Sequence, residues 1–349
     1  MKIGLLTYHY SANIGAVMQA YATCRALQEL GHEVVIVDIR QPEDNHSGLV
    51  KLIADVTNFK RDRDLRKFRS MHYPPLTRRY LSVDSLRLDP PRVDCLLVGS
   101  DQTWNLDISK EMAMAYFLDF GDERIMRMSY ASSFGRDSWP ENSPVTKGVQ
   151  KALTRFQHLS VREATGLDIL AHTFGLDGTL VVDPTMLFAD YQELTGPIPE
   201  KNELVCYKLE RNQAFYTGIE AVKQMAGMPA RLLNNSYPVK GFRYTCPPGV
   251  SEWIRRLGGA RMVLTDSFHG TVFSLLYQRN FVAVMNKNGR DSRILDLLKA
   301  VGLQSRAFES MEALKEDPSW LQPVDYSVVE PRLRAMREVS WDYLKRALQ

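Results

Sequence analysis

The sequence predicts an α/β protein built as two doubly wound parallel-sheet domains in tandem. Three observations carry this expectation. Residues 1–40 run strand, helix, strand, with a glycine closing the helix. Short continuous apolar strands then alternate with helical stretches along most of the chain. A second alternating series starts at Glu203, after a segment rich in proline and glycine. The length of 349 residues suits two domains and allows each a substantial core. A composition of 44% hydrophobic and 24% charged residues excludes a mainly disordered chain, a collagen and a coiled-coil rod.

Residues 2–9 form a short apolar strand running into a polar loop. Residues 15–30 place Val17, Ala20, Tyr21, Cys24, Leu27 and Leu30 at helical spacing, and Gly31 stops the helix. Residues 33–38 form a buried-type strand, so this strand–helix–strand unit requires parallel pairing through a right-handed crossover. Residues 49–81 interrupt the pattern with Lys60, Arg61, Arg63, Arg66, Lys67, Arg69, Arg78 and Arg79, broken by Asp62 and Asp64. They are expected as helix and loop outside the sheet. Strands follow at 93–98, 127–131, 158–161 and 180–182, with helices at 145–156 and 163–173.

Asp183-Pro184-Thr185 and Gly196-Pro197-Ile198-Pro199 mark a boundary and a linker. The second series reads strand 204–209, helix 212–225, strand 231–233, helix 250–257, strand 260–265, helix 271–277 and strand 281–285. Residues 329–349 are amphipathic. The domains are therefore expected at 1–185, including the basic insert 49–81, and at 200–328. A terminal helix over 329–349 is expected to pack back on the first domain.

A net charge of +3, from 44 basic and 41 acidic residues, is too even to imply nucleic acid. The four cysteines, Cys24, Cys95, Cys206 and Cys246, form no CxxC pattern and are expected as reduced thiols. The seven histidines show no HExxH spacing, so no metal site is expected. A P-loop and a GxSxG elbow are also missing from the sequence. The N-terminus lacks a signal-peptide pattern, and no run approaches the ~18 apolar residues of a membrane span. A cytoplasmic location is expected, with the basic cluster from Lys60 to Arg79 as a candidate contact for the inner membrane face or a phosphorylated acceptor. The plainer alternative for that cluster is a solvated face.

Ligands of open parallel sheets bind at the carboxyl ends of strands, and four polar motifs fall there. The first spans Tyr8, His9, Asn13 and Gly15, where Gly15 permits close backbone approach and helix amides favour an anion. Its plain alternative is a turn with Asn13 as helix cap. In the second, Gly99-Ser100-Asp101-Gln102-Thr103-Trp104-Asn105, Asp101 is a candidate base and Trp104 a candidate stacking surface for a sugar. Capping by Ser100 or Asp101 and a core position for Trp104 are the alternatives. The third places Arg162 between a strand and a helix, suited to a phosphate or carboxylate, or else to an ion pair with Glu163 or another acid. The fourth, Thr265-Asp266-Ser267-Phe268-His269-Gly270-Thr271, offers backbone amides for an anion and His269 as a proton donor beside them.

Taken in order, these segments resemble the polysaccharide pyruvyl transferase family. The resemblance rests on Leu6-Thr7-Tyr8-His9-Tyr10, Asn13-Ile14-Gly15-Ala16-Val17-Met18-Gln19-Ala20-Tyr21-Ala22 and Val98-Gly99-Ser100-Asp101-Gln102-Thr103-Trp104-Asn105. It continues through Tyr130-Ala131-Ser132-Ser133-Phe134-Gly135, Leu159-Ser160-Val161-Arg162-Glu163 and Val182-Asp183-Pro184-Thr185. It ends with the Thr265–Thr271 motif, Asn286 and Ser292-Arg293-Ile294-Leu295.

The resemblance implies two Rossmann-like domains facing a cleft, similar to the glycosyltransferase type B architecture. It implies transfer of pyruvate from phosphoenolpyruvate to two hydroxyls of a cell-surface sugar or its lipid-linked precursor, with no cofactor. By the same resemblance His269, Asp101 and Arg162 are the catalytic candidates. Arg162, Ser267, Phe268, His269, Gly270, Thr271 and Arg293 are candidates for the donor. Tyr8, His9, Asn13, Gly15, Ser100, Gln102, Trp104 and Asn105 are candidates for the acceptor. Some members carry Arg-Leu-His-Gly where this chain has Ser267-Phe268-His269-Gly270, so a basic contact is expected from Arg290 or Arg293 instead. The competing expectations are a glycosyltransferase using a nucleotide sugar and a protein that binds a glycan or a phosphorylated ligand without turnover.

Overall fold

The computed structural model describes residues 1–40, 49–209, 213–234, 239–285 and 291–349, with the side chains of 49–57 and 213–214 excepted. Arg290 and Asn286 lie outside the described residues. The chain forms two compact units, one of Met1–Asn45, Ser70–Phe188 and Arg334–Gln349, the other of His46–Arg69 and Ala189–Leu333.

In the first unit β1 (Lys2–Leu6), β2 (Glu33–Ile36), β3 (Cys95–Val98) and β4 (Met126–Ser129) form a parallel sheet in the order β2-β1-β3-β4. β5 (Ser160–Val161) and β6 (Thr179–Leu180) pair beyond it, bridged through Met128↔His158 and Ser132↔Val161. All of β3 is buried, which explains its unbroken apolar sequence: helices cover both faces of a doubly wound sheet. The helix Ile14–Glu29 connects β1 to β2. Asn13 caps it by accepting the Gly15 N–H at 2.8 Å, and Gly31 follows it with φ +83°. The strand expected to 131 ends at Ser129, and the backbone turns left-handed at Ala131, φ +55°.

Three side chains fasten this unit, one onto a nearby turn and two across long sequence distances. Arg127, fully buried on β4, donates to five backbone carbonyls: Leu118 (3.1 Å), Ile125 (2.8 Å), Phe120 (2.6 Å), Gly121 (3.2 Å) and Asp122 (3.2 Å). A turn without regular structure thereby gains the partners its backbone needs. Tyr343, on the last helix (Tyr326–Ala347), donates to the Ser129 carbonyl at 2.8 Å, and Ser340 on the same helix accepts the Val182 N–H at 2.9 Å.

The second unit holds a six-stranded parallel sheet of order β12-β11-β10-β7-β8-β9. Its strands are β7 (Lys201–Tyr207), β8 (Ala230–Leu233), β9 (Arg243–Thr245), β10 (Ala260–Thr265), β11 (Asn280–Val284) and β12 (Ala307–Phe308). The β9 and β12 strands were not expected from the sequence. The basic insert was expected to belong with the first domain throughout. Residues 49–69 of the helix Leu49–His72 belong instead to the second unit. There Asp64 sits against Gly249, which leaves no room for a Cβ, and Lys60 lies 3.6 Å from Glu252. Among the described residues no helix is long and apolar enough to cross a membrane.

Candidate functional site

In the first unit the carboxyl ends of β3 and β5 gather a charged cluster. The side chain of Arg162, which follows β5, is completely buried. Its Nη1 lies 2.7 Å from Asp183 Oδ2 and 3.2 Å from Ser100 Oγ, its Nη2 3.5 Å from Asp101 Oδ1, and its Nε 3.6 Å from Glu163 Oε2. Burial works against the guanidinium charge, but Asp183, Asp101 and Glu163 outweigh it and hold Arg162 above its ordinary range. Asp183 also accepts from Ser100 Oγ (2.9 Å), Thr185 N (3.1 Å) and Thr185 Oγ1 (2.7 Å), and Ser133 Oγ donates to Glu163. Arg162 was expected to bind the donor. The structure shows its buried guanidinium as an ion-pair hub facing three carboxylates, the alternative that the sequence also offered.

Asp101 is the exposed edge of this cluster: 18% of its side chain is accessible, against 1% or less for Arg162, Glu163 and Asp183. Its backbone is left-handed, φ +77°, a conformation that costs a non-glycine residue on the order of 1 kcal/mol or more. Its carboxylate accepts the Gln102 N–H (2.8 Å), and its carbonyl accepts from Thr103 N (2.7 Å) and Ser133 N (3.1 Å). The strain is thus fixed by its neighbours and aims one carboxylate outward.

Several acceptor candidates turn out to be structural. Trp104 is buried, stacks on Phe117 at 5.6 Å, meets Phe134 at 5.0 Å, and donates its indole N–H to the Tyr116 carbonyl at 3.0 Å. Its ring therefore has no face for a sugar. Asn105 caps the turn at Asp107 and donates to Gln102 Oε1 at 2.9 Å, so both amides organise the loop. His9 is buried, with Nδ1 3.2 Å from the Thr7 carbonyl and Nε2 3.0 Å from Asp38 Oδ1. Asp38 also accepts from Arg40 (2.7 and 3.0 Å). Burial opposes the Asp38 charge, yet the His9 and Arg40 hydrogen bonds prevail and hold the carboxyl well below the usual range. Asn13 serves as the helix cap, and Gly15, in the first turn, is buried. Tyr8 remains beside Asp101: its ring packs 4.9 Å from Tyr116, and burial, with Tyr116 and Asp101 adding to it, drives its hydroxyl well above the ordinary value.

In the second unit β10 runs through Asp266 and Ser267 into the helix Phe268–Leu276. Ser267 caps it by accepting the Gly270 N–H at 3.3 Å, so the helix starts three residues earlier than expected and His269 lies in its first turn. That turn carries no acidic residue, which preserves the positive end of the helix. Thr265 Oγ1 accepts from Ser267 N (3.0 Å) and donates to the Tyr207 carbonyl (2.7 Å), and Gly270 lies against Thr265 where a Cβ would collide. His269 is 8% exposed and meets Phe268 edge-on at 5.4 Å. Thr271 is buried and donates to the Ser267 carbonyl at 3.2 Å. Arg293 lies 5.9 Å from the centre of the Phe268 ring.

One residue here escaped the sequence reading. Lys208, directly after β7, is buried and places Nζ 3.1 Å from Asp266 Oδ2, while Asp266 Oδ1 accepts the Leu209 N–H at 2.6 Å. A lysine ending an otherwise apolar strand was the available signal. Among the described residues no cluster of three or more His, Cys, Asp or Glu is placed to hold a metal.

No curated protein matches the sequence. Solved structures of similar fold include Arabidopsis thaliana UGT89C1 complexed with UDP-L-rhamnose (TM-score 0.56, 11% identity, 99% of this chain and 97% of that one). Rickettsia bellii UDP-N-acetylglucosamine 2-epimerase is also similar (TM-score 0.55, 9% identity, 99% and 95%). So is the glycotransferase of kitacinnamycin (TM-score 0.52, 12% identity, 100% and 99%). At such identities the likeness extends to the fold, the two-domain Rossmann-like α/β class that the sequence predicts. The profile of the polysaccharide pyruvyl transferases matches residues 13–288, which include Asp101, Arg162, Asp183, Lys208 and the 265–271 motif, and the chain belongs to that family.

Proposed function

We propose that the protein transfers pyruvate from phosphoenolpyruvate to two hydroxyls of a sugar in a cell-surface polysaccharide or its lipid-linked precursor. The product is a cyclic ketal, and phosphate is released. The observation that supports this reading best is His269 in the first turn of a serine-capped helix, beside the buried Lys208–Asp266 pair. A helix N-terminus suits a phosphate or carboxylate, and an imidazole there can deliver a proton. Arg293, near the Phe268 ring, then takes the place of the basic residue that this motif lacks at Ser267.

In the proposed reaction His269 protonates the methylene carbon of phosphoenolpyruvate, leaving positive charge at C2. A sugar hydroxyl adds to C2 and gives its proton to Asp101. The C2–phosphate bond then breaks, and a second hydroxyl closes the ketal, its proton leaving with phosphate. Amides and cations aimed at the phosphate stabilise the charge that grows there. Arg162 is a positioning residue in this scheme: it holds Asp101 without touching substrate.

The test is phosphate release from phosphoenolpyruvate in the presence of candidate sugar acceptors, beside calorimetric titration with phosphoenolpyruvate and with uridine and guanosine diphosphate sugars. Acceptor-dependent release, lowered about 10²-fold or more in His269→Ala with an unchanged Tm, supports the reading. Binding and turnover of a nucleotide sugar with no response to phosphoenolpyruvate refutes it.

A further inference from the structure

The eight basic residues between Lys60 and Arg79 do not act as one cluster. Arg61 is mostly buried and bonds Asp62 at 2.8 Å. Arg78 pairs with Asp89 at 3.0 Å and stacks on Tyr80, and Arg79 lies 3.6 Å from Asp38. Arg69 is only partly exposed and lies off the face that the other four share, a stripe on the helix Leu49–His72. At 3.6 residues per turn, Phe59, Lys60, Arg63, Arg66 and Lys67 fall within an arc of about 120°. All five are exposed, Phe59 and Lys60 each to 60% and Arg63 to 61%. Leu65 and Phe68 point the opposite way and are buried. Asp62 and Asp64 fall on the two flanks of the arc, and the arc itself contains no acid.

We infer that this face docks the protein on an anionic lipid surface. Four cations sharing one face with an exposed phenylalanine are the chemistry of an interfacial helix: the guanidinium and ammonium groups meet lipid phosphates while the aromatic ring enters the headgroup boundary. Nearby acids temper the charge: Glu252 lies 3.6 Å from Lys60 and Asp64 3.4 Å from Arg63. An exposed phenylalanine amid cations suits a lipid boundary better than a purely electrostatic partner such as duplex nucleic acid. This inference does not depend on the reaction the protein performs.

The experiment is vesicle flotation of the full chain with phosphatidylcholine alone and with roughly 30 mol% phosphatidylglycerol added. Wild type is expected to float with the anionic vesicles only and to release as salt rises from about 50 to 500 mM. Each cation near an anionic surface changes affinity about fivefold, so reversal of all four (Lys60→Glu, Arg63→Glu, Arg66→Glu, Lys67→Glu) should lower it at least ~100-fold. Phe59→Ala should weaken binding several-fold without changing its salt response. A circular-dichroism melt checks that the variants fold, and the salt series on wild type stands if they do not. Failure to float with anionic vesicles at low salt, equal flotation with neutral vesicles, or tighter binding to a short duplex DNA would each overturn the inference.

Discussion

Replacing Arg162 by methionine removes the cation that Asp183, Asp101 and Glu163 face. Asp183 and Glu163 are almost completely buried, so they lose their counter-charge without gaining water. Breaking a buried pair in this way typically costs about 3–5 kcal/mol. For a unit of this size that is a fall in Tm of roughly 6–20 °C. The loss has a predictable pH dependence. In the variant, an unpaired buried carboxylate has its pKa raised above the unfolded value, so the folded variant binds protons and its stability falls as pH rises above about 4. The Tm gap from wild type should therefore be wider at pH 8 than at pH 5. Asp183→Asn in the same chain should recover part of the loss, with a coupling of at least ~1 kcal/mol. Calorimetric melts of the four chains across this pH range provide the measurement. If Arg162→Met melts within ~2 °C of wild type yet no longer binds phosphoenolpyruvate, Arg162 is a donor contact and the hub assignment is refuted.

Three further outcomes are expected. Asp101→Asn keeps the shape of the side chain and tolerates the left-handed backbone, so melts should stay within ~2 °C of wild type while phosphate release falls by about 10²-fold or more; retained release excludes Asp101 as the base. Gly270→Ala drives a methyl group into Thr265, which the Tyr207 carbonyl and Ser267 N–H hold in place, and should cost about 1–3 kcal/mol with a lowered turnover; an unchanged melt would show that the first turn can shift freely. Asp38 contributes stability that is present above its unfolded pKa of about 4 and lost as pH falls below it, because its folded pKa is depressed. Asp38→Asn should thus lower Tm most above about pH 5, with the gap from wild type narrowing steadily as pH falls toward 2, a trend that melts in a pH series would confirm or contradict.

The sheet core was legible because strands covered on both faces need continuous apolar residues, as at Cys95–Val98 and Ala260–Thr265. The positions of the charged motifs followed from the same architecture, since strand ends in parallel sheets gather polar loops. Their partners were less visible. Trp104 after a strand fits a stacking platform and a core equally well in sequence; Phe117 and Phe134, supplied by other segments, decide for the core. His9 looked displayed until the end of the next strand placed Asp38 beside it. Asp183 read as a boundary marker, yet it is the shortest contact of Arg162. Lys208 was absorbed into an apolar strand reading that ran two residues too far, past the end of β7 at Tyr207. The helix start was open to a sharper reading, because a serine three residues before Gly270 is a capping signal. The short strands β9 and β12 lack the length that makes periodicity readable.

The grip of Arg127 on the turn at 118–125 is made through carbonyl oxygens, groups that every residue carries. The path of that turn is thus written largely by a side chain outside it, with Asp122 adding a local bond to the Arg124 N–H at 2.9 Å, and the side chain of Glu123 is relieved of that task. Substitutions can accumulate there without moving the chain, provided the guanidinium persists and the left-handed backbone at Leu118 (φ +53°) and Gly121 (φ +77°) is kept. The exposed tip of the turn at Glu123 is consequently a place where side chains can be exchanged, its backbone conformation supplied in advance by the strand beneath.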